Sequence, residues 1–288
     1  MIYQTLHFDQ IPQVYKTFVE AFSDYGVDVS YMTEEVIRNR SAKNGIDFEI
    51  SVGAFDGDKM VGFTLVGVDL WQGELSAFDI MTGITRPFRG QRIAGKMFDF
   101  TLPMVKARGI KNFVLEVLQQ NDPAIKAYSK TGFEIIRSFD CFIASTAKLK
   151  PATRNLADIE IRSLDKTVLN AISSFFDWSP SWENSISSLL RIPDQLTVLG
   201  AFYQQKLVGI LAYYPLIRWI NLLATDQQYR NRGIASALIN HLLFTIAEHT
   251  LEIKVINVDN SDQAMQALLV KTGFEKLTSQ YEMCLKLK

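Results

Sequence analysis

Two short basic segments of the chain combine the residue types that bind phosphate. Each follows a predicted strand and precedes a predicted helix, so unpaired backbone N–H groups and the positive end of a helix dipole converge there. Small residues in both segments would let an anion approach the backbone closely, and basic side chains surround them. The sequence therefore predicts two loops suited to a pyrophosphate. They are Arg89, Gly90, Gln91, Arg92, Ile93, Ala94, Gly95 and Lys96 in the first, and Arg230, Asn231, Arg232, Gly233, Ile234 and Ala235 in the second.

The two loops belong to an internal repeat. Arg89 and Arg230 lie 141 residues apart, and the five residues at 130–134 recur unchanged at 271–275 with the same offset. Two separate motifs that share one offset indicate two copies of one structural unit.

Each copy has the same predicted order of elements. A short strand leads into an amphipathic helix, predicted over residues 11–22 and 168–176, and a two-stranded hairpin follows. A strand, the basic loop, a helix, another strand and a last helix complete the copy. Gly132 and Gly273 are expected just after that last helix, where the backbone requires positive φ. These elements predict an α/β (α+β) fold with two tandem domains, each a mixed central sheet flanked by helices.

Length and composition agree with two ordinary globular domains. The 288 residues are about twice the commonest domain size, so we place the boundary near residue 150, in a polar run at 145–151. Thirty basic and 31 acidic residues give a net charge of −1, which argues against an obligate nucleic-acid binder. Two cysteines and three histidines are too few for a structural zinc site or a disulfide framework, as in a reducing cytoplasm. The predicted domains are 1–150 and 151–288.

The sequence also predicts neither a signal peptide nor a membrane span. The first residues have no basic segment followed by an apolar one. The most apolar stretch, 209–224, contains Pro215 and Arg218 and is better read as buried strands. We therefore expect a cytoplasmic protein.

The second loop resembles the coenzyme A loop of the GNAT superfamily of N-acetyltransferases, which reads Arg-x-x-Gly-x-Ala/Gly at a strand-to-helix junction. Residues 230–235 fit this pattern fully, and the first loop fits except that Arg92 replaces the middle glycine. The first copy also carries the rest of the family's pattern in the same order, namely residues 115–117, residues 121–124, Tyr128 and residues 132–133.

The resemblance implies an enzyme that uses acetyl-CoA as co-substrate, without a metal, to acetylate a primary amine of a small molecule or peptide. The amine would attack the thioester directly. A backbone N–H of a splayed strand near Gly83 and Ile84 would polarise the thioester carbonyl. The same resemblance places Asn121 and Ala124 among the residues that bind the coenzyme.

Three side chains of the first copy are the predicted proton carriers. By resemblance, Tyr128 is the general acid that returns a proton to the departing thiolate, although it could also be a core-facing aromatic. Asp79 and Glu116 are both candidates for the general base, and either could instead be a solvated strand residue. The second copy has Leu269 where the first has Tyr128, and leucine cannot donate a proton. We therefore expect catalysis in the first copy and a coenzyme-binding or scaffolding role for the second.

Several alternatives stay open at this point. Residues 90–96 match the nucleotide-binding pattern Gly-x4-Gly-Lys, but Met97 follows where a magnesium ligand should stand. A coenzyme A sensor without transfer activity, or a scaffold for a partner, would carry the same loops. The acidic segment 23–28 favours a cationic amine. Internal pseudo-symmetry suggests a monomer that mimics a dimer, or a loose homodimer.

Overall fold

The computed structural model of the protein describes residues 1–24, 26–150, 156, 158–246 and 250–287. Three positions used in the sequence-based predictions lie outside the described residues. They are Tyr25, the linker end at Pro151, and Glu248, where the sequence predicts the end of a helix that begins at Ser236 after the second basic loop. Within the described ranges, no helix is long and apolar enough to cross a membrane.

The chain forms two units, and their boundaries differ from a single division of the chain at residue 150. One unit is Met1–Ile136 together with Tyr281–Lys288, and the other is Arg137–Gln280. The end of the chain thus returns to the first unit, where Met283 is fully buried in the core. The division of the protein into separately folding domains at residue 150 stays a prediction.

The first unit is a mixed sheet with helices, as the sequence predicts. In spatial order its strands are β1 (Ile2–Thr5), β2 (Val52–Asp56), β3 (Lys59–Trp71), β4 (Glu74–Ile84) and β5 (Asn112–Leu118). Its helices are α1 (Ile11–Ala21), α2 (Glu34–Lys43), α3 (Ile93–Ala107) and α4 (Asp122–Lys130). All pairs from β1 to β4 are antiparallel, and β4 and β5 are parallel. Helix α2 was not predicted from the sequence. It is capped by Thr33, whose hydroxyl accepts a hydrogen bond from the Val36 N–H.

The second unit repeats this plan. Its strands are β6 (Glu134–Ser145), β7 (Ile159–Ser163), β8 (Thr197–Tyr203), β9 (Lys206–Tyr214), β10 (Trp219–Thr225), β11 (Glu252–Asp259) and β12 (Glu275–Lys286). Its helices are α5 (Ile186–Leu190), α6 (Ile234–Thr245) and α7 (Gln263–Thr272). Strand β6 lies beside β11 in this unit, whereas the part of β12 from Tyr281 onward lies beside β5 in the first.

One predicted helix is absent. Residues 168–176 form no α-helix, and most of them lie in two short 3-10 helices, Lys166–Ala171 and Ser173–Phe175. The Asp165 carboxylate accepts the Thr167 N–H and fixes a tight turn at the start. Neighbouring serines and β-branched side chains weaken a longer helix, because serine hydroxyls compete for backbone hydrogen bonds. In contrast, the two glycines after the last helices have the expected positive φ, 95° at Gly132 and 104° at Gly273.

A wedge-shaped gap opens between the two parallel strands of the first unit. Strands β4 and β5 pair only from Ser76 to Asp79, and beyond Asp79 they separate. At the same point β4 carries a bulge, because Val66 of β3 lies opposite Asp79 while the next residue back, Leu65, lies opposite Met81. The second unit has the same two features in β10 and β11. Because of the bulge and the separation of the strands, the backbone of β4 near Gly83 and Ile84 is not paired with β5.

Candidate active site

The two basic loops share one backbone path. The first has left-handed residues at Gly90 (φ 77°) and Arg92 (φ 61°), and the second at Asn231 (φ 60°) and Gly233 (φ 91°). Residues 90 and 231 are equivalent in the repeat, and so are residues 92 and 233. Glycine occupies the first of these two positions in the first loop and the second in the second loop. The departure of Arg92 from the family pattern thus changes the side chain and leaves the path of the loop intact.

Each loop is anchored to the core by the first residue of its helix, and the first loop has an open outer face. Ile93 and Ile234, at the first positions of α3 and α6, are 3% and 1% exposed and pack into the cores. Apart from the neighbouring residues and the backbone of its own helix, a methyl group added to Gly90 or to Gly95 would have no atom within 4 Å. The first-turn N–H groups of a helix have no intrahelical acceptor. The outer face of the first loop therefore has both the space and the donors that a pyrophosphate needs.

The first arginine of each loop connects it to the rest of its unit. The Arg89 guanidinium donates two hydrogen bonds of 2.8 Å to Asp24 and one of 2.6 Å to the carbonyl of Ala21 at the end of α1. Its Nε also donates to the Ile84 carbonyl, 3.3 Å away. The hydrogen bond from Arg89 holds the pKa of Asp24 below its usual value. Arg89 thus joins the loop to the segment that follows α1, and its contact with coenzyme A stays a prediction.

The second unit has the same set of arginine contacts. Arg230 donates to the Asp177 carboxylate, to the Phe175 carbonyl at 3.0 Å and to the Thr225 carbonyl at 3.2 Å. The sequence did not indicate that either aspartate contacts an arginine, although a Phe-x-Asp pattern at 22–24 recurs at 175–177. Asp24 was expected only as part of the acidic segment 23–28 that favours a cationic amine.

The other basic residues of the first loop are open to solvent. Arg92 and Lys96 are both exposed, and neither side chain has a hydrogen-bond or ion-pair partner among the described residues. The Gln91 side chain donates to the Pro87 carbonyl at 3.1 Å. In the second loop, Arg232 donates to the Gln228 carbonyl at 3.2 Å and lies over the Tyr229 ring. Arg92 and Lys96 are therefore the side chains best placed to meet an anion on the first loop.

Arg92→Gly should weaken the binding of acetyl-CoA without lowering the stability of the protein. A hydrogen bond from the charged Arg92 side chain to a phosphate would contribute about 1.5 kcal/mol to binding. Its loss should therefore raise the Kd for acetyl-CoA about tenfold. Glycine also relieves a left-handed conformation that costs about 1 kcal/mol for other residues, so the Tm should stay equal or rise. Calorimetric titration and thermal unfolding measure the two effects. Arg92→Lys, which keeps both the charge and the strained backbone, is the control, and equal Kd values for the Arg92→Gly variant and the wild-type protein would contradict the assignment.

The predicted acid and one of the two predicted bases are in contact. The Tyr128 hydroxyl donates to Oδ2 of Asp79 at 3.3 Å, and the Thr82 hydroxyl donates to the same oxygen at 2.8 Å. The bulge at Ile80 is what brings Asp79 and Thr82, three residues apart on β4, within reach of each other. Thr82 was not predicted, because nothing in the sequence marks the bulge.

The environment of Asp79 suits proton transfer near neutral pH. Burial raises the pKa of Asp79 from 3.8 to about 6, and the hydrogen bonds from Thr82, Tyr128 and the Met81 backbone oppose that rise. Tyr128 is half-buried on α4, with its ring edge-to-face against Phe133 at 5.7 Å between centroids. A carboxylate with a pKa near 6 can accept a proton at neutral pH and release it again.

The second unit has an apolar group in place of each of these three residues. Ile220, Leu223 and Leu269 stand 141 residues after Asp79, Thr82 and Tyr128. All three are buried in one hydrophobic cluster, at 1%, 7% and 0% exposure. The second unit therefore has no proton carrier at this place.

The structure also places the remaining predicted residues of the first unit, whose part in binding or catalysis stays a prediction. The Asn121 side chain accepts the Ala124 N–H at 3.3 Å and so begins α4, as Asp262 begins α7. Glu116 is half-buried in the middle of β5. Gly83 is covered by Phe22, since a methyl group on Gly83 would lie 2.8 Å from Phe22 Cε2. In the described part of the chain, no three or more His, Cys, Asp or Glu side chains are grouped to hold a metal.

Comparisons of the chain with known proteins point to one family. The family model described as "Acetyltransferase (GNAT) family" matches residues 11–133 and 162–274, so it covers both units. A curated relative, N-alpha-acetyltransferase 30 of Schizosaccharomyces pombe, is 34% identical over 86 residues, which are 30% of this chain. That alignment spans 57% of the relative's length.

Solved structures resemble the whole chain. A tandem GNAT protein from the clavulanic acid biosynthesis pathway has a TM-score of 0.77 at 12% identity, and the alignment covers 99% of this chain and 98% of that one. A GCN5-related N-acetyltransferase from Sphaerobacter thermophilus has a TM-score of 0.74 at 15% identity, with 99% and 95% covered. At such identities the likeness concerns the fold, which is that of two tandem repeats.

Proposed function

Because the chain belongs to the acetyltransferase (GNAT) family, we propose that it transfers the acetyl group of acetyl-CoA to a primary amine of a small molecule or peptide, and that the first unit does so. The observation that carries the proposal is the contact between Tyr128 and Asp79 beside the gap of β4 and β5. The named activity of the curated relative makes the α-amine of a peptide one acceptor worth testing.

The residues of the first unit then have distinct tasks. The N–H groups at the start of α3, with Arg92 and Lys96, would hold the pyrophosphate. A backbone N–H of β4 near Gly83 and Ile84 would polarise the carbonyl of the thioester that acetyl-CoA supplies. The gap between the strands leaves that backbone unpaired by β5.

One pair of side chains would carry a proton from the amine to the departing thiolate. As the amine nitrogen bonds to the carbonyl carbon, Asp79 would accept the proton that the amine loses. As the carbon–sulfur bond breaks, Tyr128 would donate its proton to the thiolate. The hydrogen bond between them would then let Asp79 reprotonate Tyr128, so one proton passes from nitrogen to sulfur. Glu116 stays an alternative base, since it lies on the facing strand.

The second unit would bind coenzyme A without transferring an acetyl group. Its loop fits the family pattern fully, but Ile220, Leu223 and Leu269 offer no proton carrier. The alternative function, a coenzyme A sensor without transfer activity, stays a hypothesis. Cytoplasmic location and the oligomeric state, a monomer with internal pseudo-symmetry or a loose homodimer, stay predictions.

Calorimetric titration of acetyl-CoA with a matched pair of loop variants tests the proposal. Gly90→Asp and Asn231→Asp each add a carboxylate at the same left-handed position of one loop, where aspartate is tolerated and repels phosphate. We expect two sites per chain in the wild type and one site in each variant. A wild type that binds no acetyl-CoA would overturn the proposal, and one site that survives Asn231→Asp unchanged would remove the second unit from it.

A further inference from the structure

A second threonine continues the hydrogen-bond network of Asp79 onto the neighbouring strand. Thr64 of β3 lies directly opposite Thr82 of β4 in the register of the two strands. Their hydroxyl oxygens are 2.9 Å apart, and Thr82 donates to Oδ2 of Asp79 at 2.8 Å. Side chains that lie opposite each other on two antiparallel strands are close enough for such a contact. A row of four polar side chains therefore begins at Thr64 and ends at Tyr128.

The direction of each hydrogen bond in this row follows from the number of protons. A threonine hydroxyl has one proton to donate, and an ionised carboxylate can only accept. Because Thr82 donates its proton to Asp79, the hydrogen bond between the two threonines is donated by Thr64. Thr64 is 9% exposed. It thus holds the rotatable hydroxyl of Thr82 in the orientation that points its proton at the carboxylate.

The second unit shows that the fold does not require these two hydroxyls. Leu211 and Leu223 take the places of Thr64 and Thr82 in the repeat, and they too are paired with each other, on β9 and β10. Both leucines are buried in the same hydrophobic cluster as the apolar side chains that replace the proposed acid and base. A buried polar group is costly unless it is hydrogen-bonded, whereas apolar side chains fill the same place without that cost. The threonine pair therefore accompanies the carboxylate and not the sheet.

The surroundings of Asp79 make its hydrogen bonds important. Val66 of β3 and Leu115 of β5 lie opposite Asp79 in the two strand pairings, and both are buried. The titratable groups on the elements around it are Tyr128 of α4, which donates to it, and Glu116, which follows Leu115 on β5. Apolar neighbours disfavour the charged form of a carboxyl group, so the hydrogen bonds that it accepts decide how readily it ionises.

We infer that Thr64 and Thr82 are positioning residues of the first unit, which keep the carboxylate of Asp79 ionised and oriented for proton transfer. The inference rests on the proposed function and adds two residues to its site. Thr82 acts on the carboxylate directly, and Thr64 acts only through Thr82. Loss of either hydroxyl should therefore slow the reaction, and the loss of Thr64 should have no further effect once Thr82 has no hydroxyl.

Direct titration of Asp79 tests the inference without requiring turnover. In the full chain with isotope-labelled aspartate, the carboxyl NMR signal of Asp79 is identified by its loss in Asp79→Asn. In the wild type, the hydrogen bond from Thr82 opposes the rise in the pKa of Asp79 that burial causes. Thr82→Val keeps the branched shape of the side chain and should lower the acid dissociation constant of Asp79 about tenfold, because a hydrogen bond to a charged group is lost.

The double variant tests whether the two threonines act in series. Thr64→Val alone should lower the acid dissociation constant of Asp79 about threefold, since it removes a hydrogen bond between two neutral groups. Thr64→Val combined with Thr82→Val should give the same value as Thr82→Val alone. An unshifted titration in Thr82→Val would overturn the inference. Effects that add in the double variant would overturn the role of Thr64.

Two controls accompany the titration. Thr82→Ser keeps the hydroxyl and should recover most of the effect of Thr82→Val. Thr197 is a half-buried threonine of β8 in the second unit, and Thr197→Val should leave the titration of Asp79 unchanged. A shift of equal size in Thr197→Val would show a general response of the protein and would contradict the inference.

Kinetics connect the pair to the reaction. With an amine that the wild type acetylates, Thr82→Val should lower kcat about tenfold at pH 8 and move the lower limb of the pH profile to higher pH. The KM for the amine and the Kd for acetyl-CoA should stay the same, because neither threonine is proposed to contact a substrate. A lower kcat with an unmoved limb would indicate a merely structural role and would overturn the inference.

The two proposals fail separately. Transfer by the wild type, with an unshifted titration in Thr82→Val, would overturn the positioning pair and leave the acetyltransferase standing. No transfer by the wild type to any primary amine, together with no binding of acetyl-CoA in the calorimeter, would overturn the proposed function, and with it the role of the pair in transfer, whatever the titration shows.

Discussion

Tyr128→Phe should lower kcat about 10²- to 10⁴-fold, the contribution typical of a positioned general acid. Phenylalanine keeps the ring and its edge-to-face contact with Phe133, and only the hydroxyl that donates to Asp79 is lost. The Kd for acetyl-CoA should therefore stay the same. Steady-state kinetics with thiol release, and calorimetry for binding, measure the two quantities.

The control for this prediction removes a hydroxyl elsewhere. Tyr203, in the second unit, packs against Tyr229 with 5.7 Å between ring centroids. Tyr203→Phe should leave kcat unchanged. A Tyr128→Phe enzyme with wild-type kcat would show that thiolate protonation does not depend on this residue.

Asp79→Asn should lower kcat at least 100-fold at pH 8 and abolish the lower limb of the pH profile. With a pKa of about 6, the carboxylate is a base only when it has lost its proton. Wild-type kcat should thus rise as the pH increases through about 6 and level off above it. The variant should be flat and slow over the same range.

The same substitution should not destabilise the protein at high pH. The folded-state pKa lies above the ordinary 3.8, so the folded state binds the proton more tightly than the unfolded state does. The contribution of Asp79 to the free energy of unfolding is therefore present below pH 4 and lost as the pH rises through 6. Asp79→Asn removes this penalty, and its Tm at pH 8 should equal or exceed that of the wild type.

Asp58→Asn, in the exposed turn between β2 and β3, is the matched control for both measurements. It should change neither the pH profile nor the Tm. If Asp79→Asn kept the wild-type profile, Asp79 would not be the base, and Glu116 would become the next candidate to substitute.

Local sequence was sufficient to predict the loops and the repeat. The loop pattern depends on neighbouring residues, and a helix start after a strand is a short-range feature. The positive φ at Gly132 and Gly273 was predictable for the same reason, since only the end of one helix is involved. The presence of Arg92 in place of the pattern's glycine is also a local feature, because each loop has its glycine at a different one of the two left-handed positions, Gly90 and Gly233.

What the sequence did not predict depends on distant contacts. The bulge at Ile80 is defined by pairing with β3, so the approach of Thr82 to Asp79 could not be read from β4 alone. The ion pair of Arg89 with Asp24 joins residues 65 positions apart. The return of residues 281–287 to the first unit depends on which strand lies beside β5, and no local pattern specifies that choice.

The return of the C-terminal strand also bears on how the units can be studied. A chain that ended at residue 150 would lack Met283, which is fully buried in the core of the first unit. Point substitutions in the full chain are therefore the better way to assign activity to one unit.

The measurement that tests the central claim most directly is mass spectrometry of a primary-amine panel incubated with acetyl-CoA and the full chain, with wild type, Tyr128→Phe and Asp79→Asn compared side by side. We predict a product heavier by one acetyl group and one free coenzyme A per product with the wild type, and a loss of at least 100-fold with either variant. No acetylated product from the wild type, or equal yields from all three proteins, would contradict the claim that the first unit is an acetyltransferase that works through Tyr128 and Asp79.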